Sequence, residues 1–550
     1  MKSRARALEA ISGNPFDLCI IGGGATGAGC ALDAQLRGLQ TVLVDGGDFA
    51  SAASSASTKL VHGGVRYLEQ AVKKLDVDEY RMVQAALSER IHMLKNAPHL
   101  AHAAEFLVPV FSRAQAIYYQ IGMKMYDWIA GKDNLFPSRF LPREEALRRM
   151  PALRAEKLHG AVSYSDGQFD DSRYDLSLVQ TFTEAGGEAL NYARVVGFGK
   201  DSAGKLTSAT LRDSFSAGEF SIRARAFVNA TGPASDNIRL LASGDAKRRL
   251  RPSKGVHILF PLEEFRSVDA LLVPKTEDGR VIFAVPWMGR LLVGTTDDEA
   301  TPETKMVVLR SEAEYLLRQL NPYLAKPLRL EQIVSGLSGL RPLVAAGEGH
   351  GTKELIRDHE VEVDAKSGLI SILGGKWTTH RLMAEDTINH VQKAMGIPVT
   401  SSVTREHPLV GASGFSTEYR KSLASEYGLD EATAQHLARK FGTRAPAVLA
   451  LARADSSLSE PLVAGLPYRK AEVVYAIREE LAQTVEDILA RRLGLQMFDW
   501  RQAMAAAPAV GDLLASELSW SRDKRDEAVA TYAAKIREFL KTVGLAEKAA

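Results

Sequence analysis

Residues 16–45 read FDLCIIGGGATGAGCALDAQLRGLQTVLVD, and no other stretch constrains the fold as tightly. FDLCII is an apolar run of strand length. It enters a turn in which Gly22, Gly24 and Gly27 satisfy G-x-G-x-x-G. Ala28, Ala31, Leu32 and Leu36 then recur at helical spacing up to Gly38, which predicts a helix with a glycine stop. A second strand, QTVLVD, ends in Asp45. Glycine-rich turns are common, but strand, glycine turn, helix, strand and terminal acid within thirty residues is the fingerprint of a dinucleotide-binding βαβ unit. Gly22 permits the tight turn, Gly24 lets backbone approach a pyrophosphate, and Gly27 lets helix and strand pack closely. Ala25 and Thr26 open the helix, whose free N–H groups favour an anion. Asp45 is placed to accept the ribose hydroxyls.

The chain is too long for one core: 550 residues imply several domains. Sixty-nine basic against 67 acidic residues leave a formal charge of +2, without the basic excess of a nucleic-acid binder. Cys19 and Cys30 fall inside the predicted strand and helix and read as small buried residues. No cysteine–histidine spacing suits a metal, so none is expected. The N-terminus lacks a secretory apolar core and no apolar run is long enough to span a membrane, so a cytoplasmic address is expected.

Two later segments extend the pattern and favour FAD over NAD. RARAFVNATGP, residues 223–233, is a strand running into Thr231 and Gly232, like the second fingerprint of two-dinucleotide-domain flavoproteins. GLISILGGKWTTHR, residues 368–381, is a strand running into Gly374-Gly375, with a helix expected from Trp377 or Thr378 aimed at a flavin. The Ser/Ala-rich segment after Asp45, with Ser54, Ser55 and Ser57, would line ribose and diphosphate. The expected domains are a discontinuous FAD-binding domain (15–70, 160–250 and 335–395), an antiparallel β-sheet substrate cap (71–159 and 251–334) and a separate helical domain (396–550).

The chain resembles the respiratory, quinone-linked FAD-dependent glycerol-3-phosphate dehydrogenases over nearly its whole length. The resemblance is carried by IIGGGATGAGCALDAQLRGL, SSASTKLVHGGVRYLEQ, YSDGQFDDSR, VNATGP, GVHILFP, VPWMGRLLVGTTD, SGLRPL, IRDHEV, GGKWTTHR and TVEDILARR. It implies an α/β, glutathione-reductase-like, Rossmann-type FAD-binding domain with an antiparallel cap and a C-terminal all-helical domain. It implies oxidation of sn-glycerol 3-phosphate to dihydroxyacetone phosphate, with non-covalent FAD. Electrons would pass to a quinone, with the protein held peripherally on the inner face of the cytoplasmic membrane. A homodimer is compatible with it. The resemblance assigns the phosphate grip to Arg66, Tyr67, Arg341, Arg357 and Lys376. It adds Lys59, Gly63, Gly64, Gly375, Lys376 and Thr378 to the flavin's surroundings.

Removing hydride from a secondary alcohol needs a base, a hydride acceptor and positive charge for an anionic substrate. Arginine forks and lysine point charges suit a phosphate dianion. His62 and His257 are the base candidates; Arg341 either grips phosphate or polarises the C2 oxygen. Asp170 and Asp171 read as a strand-end ion pair with Arg173. The basic run RRLRPSK at 248–254 reads as solvated, with Lys254 near enough to the cap to meet a phosphate. AIYYQIGMKMYDWIAG, residues 116–131, is apolar nearly all round as a helix. That predicts burial in the cap, the alternative being a membrane-dipping surface. Competing functions are a glycerol-3-phosphate oxidase using oxygen, an amine or amino-acid oxidase on the same scaffold, and a flavin-bearing RNA-modifying protein, which the near-neutral charge opposes.

Overall fold

The computed structural model describes residues 4–64, 77–345 and 359–545. The first sheet runs in the order His359–Val363, Ile370–Gly374, Glu219–Asn229, Phe16–Ile21, Thr41–Val44, Glu188–Leu190. The last five of these strands are parallel, with Ile21 beside both Val44 and Asn229. From Leu18 to Ile21 the strand is continuously apolar because both faces of the sheet are covered. Leu18 and Ile20 enter a core with the helices Ala25–Leu36, Asp171–Glu184 and His380–Ala394. Cys19 and Ile21 point the other way, into a core closed by the helix Arg4–Gly13 and the strands Ala193–Lys200 and Leu206–Asp213. Burial pushes both cysteine thiols up to about 12.

Among the described residues the second sheet has ten strands, antiparallel except where Ala270–Val273 runs beside Ala101–Val110. It departs from the domain limits expected from sequence. Gly160–Phe169, expected in the FAD-binding domain, pairs along its whole length with Ala101–Val110 in this sheet. Leu60–Val61 and Ser335–Arg341 join it as well. Each of these strands is the point where the chain passes from one sheet to the other, and ladder partners far along the chain, such as Val110 with Gly160 and Leu60 with Gln168, fix that transition.

The C-terminal helices have a core of their own around Leu437, Phe441 and Val474, as a helical domain should, and they also pack onto the second sheet. Val256, Ile258 and Val293 of the second sheet share one core with Ile488, Trp500, Ala503, Leu514 and Ile536. The strand Ser253–Pro261 is buried on both faces, and its Val256, Ile258 and Phe260 need this cover. The Ala-rich helix Trp500–Leu518 lets the backbones approach closely.

Three other expectations are corrected. Asp171 pairs with Lys59 at 2.5 Å, Asp170 with Lys440 at 2.7 Å, and Arg173 with Glu480 at 2.8 Å, so no Asp–Arg173 pair forms. Asp170 instead caps the following helix by accepting from the Arg173 N–H. The basic run is paired rather than solvated: Arg249 meets Glu360 and Glu362, Arg251 meets Glu299, and Lys254 meets Glu312 at 2.8 Å. The helix Arg113–Ala130 buries only Ala116, Met123, Tyr126, Ile129 and Ala130, while Ile117, Ile121 and Trp128 are 56–74% exposed.

Candidate active site

A cavity of about 850 Å³ runs between the two sheets. The C-terminal ends of four parallel strands open onto it through Gly22, Asp45, Thr231 and Gly374, the place where open α/β sheets bind ligands. Gly22 has φ 108, and a Cβ there would lie 2.6 Å from the Ala230 carbonyl oxygen. A Cβ on Gly24 would lie 2.7 Å from Ser54 Oγ, and one on Gly27 would collide with the Gly22 carbonyl. The first intrahelical bond runs from Ala28 N–H to the Gly24 carbonyl at 2.9 Å. The amides ahead of it belong to the helix start, where Ala25 N–H is held by Ser54 Oγ at 2.9 Å. Asp45 accepts from Gly23 N–H at 2.6 Å and Gly47 N–H at 2.7 Å, which fixes its carboxylate on the cavity wall. Burial raises its carboxyl above the usual range. A glycine cradle at a helix N-terminus, an acid beyond it and a long cavity fit a dinucleotide.

The other end of the cavity is lined by His62, His257, Arg341 and Lys376. His257 stands mid-strand on Ser253–Pro261, opposite Gly294 on one neighbour and Leu337 on the other. A side chain on Gly294 would collide with the His257 ring, and one on Gly255 with the Arg341 guanidinium, so these two glycines make room for the charged end. His257 Nε2 lies 2.9 Å from Thr58 Oγ1. Arg341 ends its strand and is braced by Thr295 Oγ1 at 2.9 Å, the Thr296 carbonyl at 3.0 Å and Asp297 at 3.2 Å. The His62 backbone is held from both sides. Its N–H donates to Thr378 Oγ1 at 3.2 Å, and the next N–H, of Gly63, donates to Tyr126 Oη at 2.8 Å. That hydroxyl lies 3.0 Å from both oxygens of Asp166, which Arg90 meets at 2.8 Å. Burial, then Lys376 and Arg90, push the His62 ring down to about 4; burial, then Arg341 and Lys59, push His257 down to about 3. Both imidazoles are neutral at neutral pH and able to take a proton.

Of the residues singled out from sequence, Gly22, Gly24, Ala25, Thr26, Asp45, Ser54, Ser57, His62, Thr231, Gly232, His257, Arg341, Gly375, Lys376 and Thr378 line this one cavity. Gly27 packs helix on strand. Lys59 turns away: its buried Nζ donates to Asp171 and to the Ser55 carbonyl at 2.8 Å, holding the loop rather than facing the cavity. Ser55 faces a neighbouring recess. Gly63 is needed against Leu87 and Tyr126, not against the cavity, and Gly64 has φ 86 beside it. Arg66, Tyr67 and Arg357 lie outside the described residues. Sequence reasoning missed Thr58, Arg194 and Trp377, which also line the cavity; the Trp377 indole donates to the Ser54 carbonyl at 2.8 Å. Thr58 lies between Ser57 and Lys59, and nothing local marks it.

The family model described as FAD dependent oxidoreductase matches residues 17–381, and that of the C-terminal domain of alpha-glycerophosphate oxidase matches 402–525. The chain is 42% identical over 517 residues to the probable mitochondrial glycerol-3-phosphate dehydrogenase of Caenorhabditis elegans, covering 92% of this chain and 71% of that one. It is 39% identical over 547 residues to the mitochondrial glycerol-3-phosphate dehydrogenase of Bos taurus, covering 98% and 74%. Among solved structures, the glycerol-3-phosphate dehydrogenase of Bacillus halodurans complexed with FAD superposes with a TM-score of 0.79 at 29% identity, covering 100% of this chain and 99% of that one.

Proposed function

The chain belongs to the family of FAD-dependent glycerol-3-phosphate dehydrogenases, and from that premise we propose how its own residues divide the reaction between the two ends of the cavity. The protein is an FAD-dependent oxidoreductase that takes sn-glycerol 3-phosphate as substrate. Gly22, Gly24, Ala25 and Thr26 would cradle the pyrophosphate of FAD, Asp45 its ribose, and the Gly374–Thr378 turn its ring. When bound, FAD supplies the acceptor for the hydride leaving C2 of the substrate. His62 takes the proton of the C2 hydroxyl, and His257, tied to Thr58, stands behind it. Arg341 and Lys376 hold the phosphate, joined by the Arg66, Tyr67 and Arg357 that the family resemblance adds. A bound dianion raises the proton affinity of a histidine beside it, so the base strengthens once substrate arrives. The product is dihydroxyacetone phosphate.

The observation that carries this reading is the convergence of two neutral histidines with Arg341 and Lys376 at one end of the cavity, opposite the glycine cradle. Mixing the yellow protein with glycerol 3-phosphate without oxygen tests it: the flavin's visible absorbance bleaches. Unchanged absorbance would sink the reading.

The acceptor we assign is a membrane quinone. No described helix is long and apolar enough to cross a membrane. The exposed Ile117, Ile121 and Trp128 on Arg113–Ala130, bordered by Lys124, give instead a surface that suits insertion into the lipid interface. Flotation with anionic liposomes, lost in Trp128→Glu, supports it. The match to the C-terminal domain of alpha-glycerophosphate oxidase keeps an oxygen-using oxidase as the second reading. Peroxide formed mole for mole with substrate under air would favour that one.

A further inference from the structure

The segment TVEDILARR, residues 484–492, belongs to the C-terminal helices and takes no part in the chemistry above. Its end reaches back to the FAD-binding sheet. After the helix Lys470–Glu479 the chain turns at Leu481, with φ 54, and re-forms as a π-helical turn, Asp487–Arg492. Such turns are uncommon and present side chains at a spacing an α-helix does not. Here Arg491 and Arg492 both reach the carboxylate of Asp48.

Arg491 Nε donates to Asp48 Oδ2 at 2.6 Å and Arg492 Nη2 to Oδ1 at 2.9 Å, while Arg492 Nη1 also meets Oδ2. Asn191 Nδ2 adds a bond to Oδ1 at 3.0 Å. Arg492 is tied in turn to the Glu480 carbonyl at 2.7 Å, and Arg491 to Asp487 at 2.6 Å. Asp48, Asp487, Arg491 and Arg492 are all buried. Burial opposes ionisation of Asp48, but Arg492 and Arg491 outweigh it and hold the carboxyl below its usual range.

Asp48 opens the wall of the cavity. Gly46 and Gly47, just before it, line the cavity, and so do Ser51, Ala52, Ala53 and Ser54 after it. The Ala50 N–H donates to the Gly23 carbonyl at 3.0 Å, and Ser54 Oγ holds the Ala25 amide at 2.9 Å, so this loop is the outer half of the phosphate cradle. Phe49 packs into the core of the first sheet, but the Ser and Ala side chains of residues 51–54, which face the cavity, are too small to pack that part of the loop in place. Without the Asp48 anchor beside Phe49, more of its ordering would fall on the binding step and weaken the ligand.

We propose that Arg491 and Arg492 are positioning residues for FAD: through Asp48 they pre-order the 46–54 loop, so the C-terminal helices set how tightly the cofactor is held. The inference rests on FAD filling the cavity and not on the identity of the substrate, so a failed glycerol 3-phosphate bleach leaves it standing.

The test is the dissociation constant of FAD, read from flavin fluorescence released on dilution of the full-length holoprotein. Arg492→Lys keeps the charge but loses the fork, and Asp48→Asn keeps the shape but loses the charge. Each is expected to weaken FAD about tenfold or more, and to shrink the rise in melting temperature that added FAD gives. Arg290→Lys is the control. Arg290 also ties the C-terminal helices to the rest of the chain, through the Phe498 carbonyl at 2.7 Å, but its bonds reach neither the loop nor Glu480. FAD affinity within about threefold of the parent in both test variants, or lost equally in Arg290→Lys, overturns the proposal. If neither test variant folds, the cluster is a general folding element and the proposal fails in the same way.

Discussion

The two ends of the cavity are built on opposite plans. The cradle end comes mainly from contiguous chain, and its work is done by backbone: Gly22 and Gly24 remove side chains where a ligand must approach, and the helix start offers amides. The charged end is assembled from His62, His257, Arg341 and Lys376, which lie on segments as much as three hundred residues apart. A phosphate bridge between two nucleotides needs only shape and N–H groups, whereas a small dianion losing a hydride and a proton needs cations and a base at fixed points. The first demand can be met by local sequence; the second needs a sheet to bring distant side chains into register.

If that division is right, damage at the two ends has different signatures. The largest effect is expected from Gly22→Ala. Its Cβ would meet the Ala230 carbonyl at 2.6 Å, on backbone with φ 108. The purified protein should be colourless and inactive, and a ratio of flavin to protein absorbance equal to the parent's would break the comparison. Arg341→Ala should do the reverse, keeping a normal flavin spectrum while kcat/KM for glycerol 3-phosphate falls about 10²–10³-fold. Arg341→Lys should recover only part of it, because a point charge replaces a fork.

His62→Ala should cost about 10²–10⁴-fold in kcat, with FAD affinity unchanged. In the parent a base must be unprotonated, and His62 is pushed down to about 4. The acid limb of kcat/KM should therefore lie near 4 rather than near an ordinary histidine value. A limb at 6 or above would point to a different base.

The smallest effect concerns stability. His99, His257 and His380 are buried, and burial is the largest cause pushing them down from 6.5, to about 3, 3 and 4. Their folded-state values lie below the unfolded one, so their contribution is complete above about 6.5 and is lost as pH falls through 4 to 3. Each unit of depression is worth about 1.4 kcal/mol at most. Asp166 works the other way: burial, its largest cause, raises it to about 6. Asp33, Asp45, Asp175 and Asp487, also raised chiefly by burial, act with it, so the histidine contribution is read by difference. The melting temperature of the holoprotein minus that of His99→Gln should fall between pH 6.5 and 4; a constant difference would show that His99 finds a partner for its protonated form.

The sequence by itself determined the first sheet and its cradle, because hydrophobic period, glycine spacing and the acid after the second strand are local and each has a steric or electrostatic cause. It also marked Thr231 and the Gly375–Thr378 turn, since each is a strand running into a turn. It misjudged what depends on partners far along the chain. Lys59 looked like a cofactor ligand until Asp171, more than a hundred residues on, claimed its charge. Gly63 looked like room for a flavin until Leu87 and Tyr126 filled that side. The helix Arg113–Ala130 looked buried all round, yet the sheet covers only one of its faces. The tertiary structure decided that Gly160–Phe169 belongs to the second sheet, that the C-terminal helices share its core, and that Arg491 and Arg492 close on Asp48. A strand's pattern says which faces are buried but not which neighbour buries them, and a charge says that it needs a partner but not where that partner comes from.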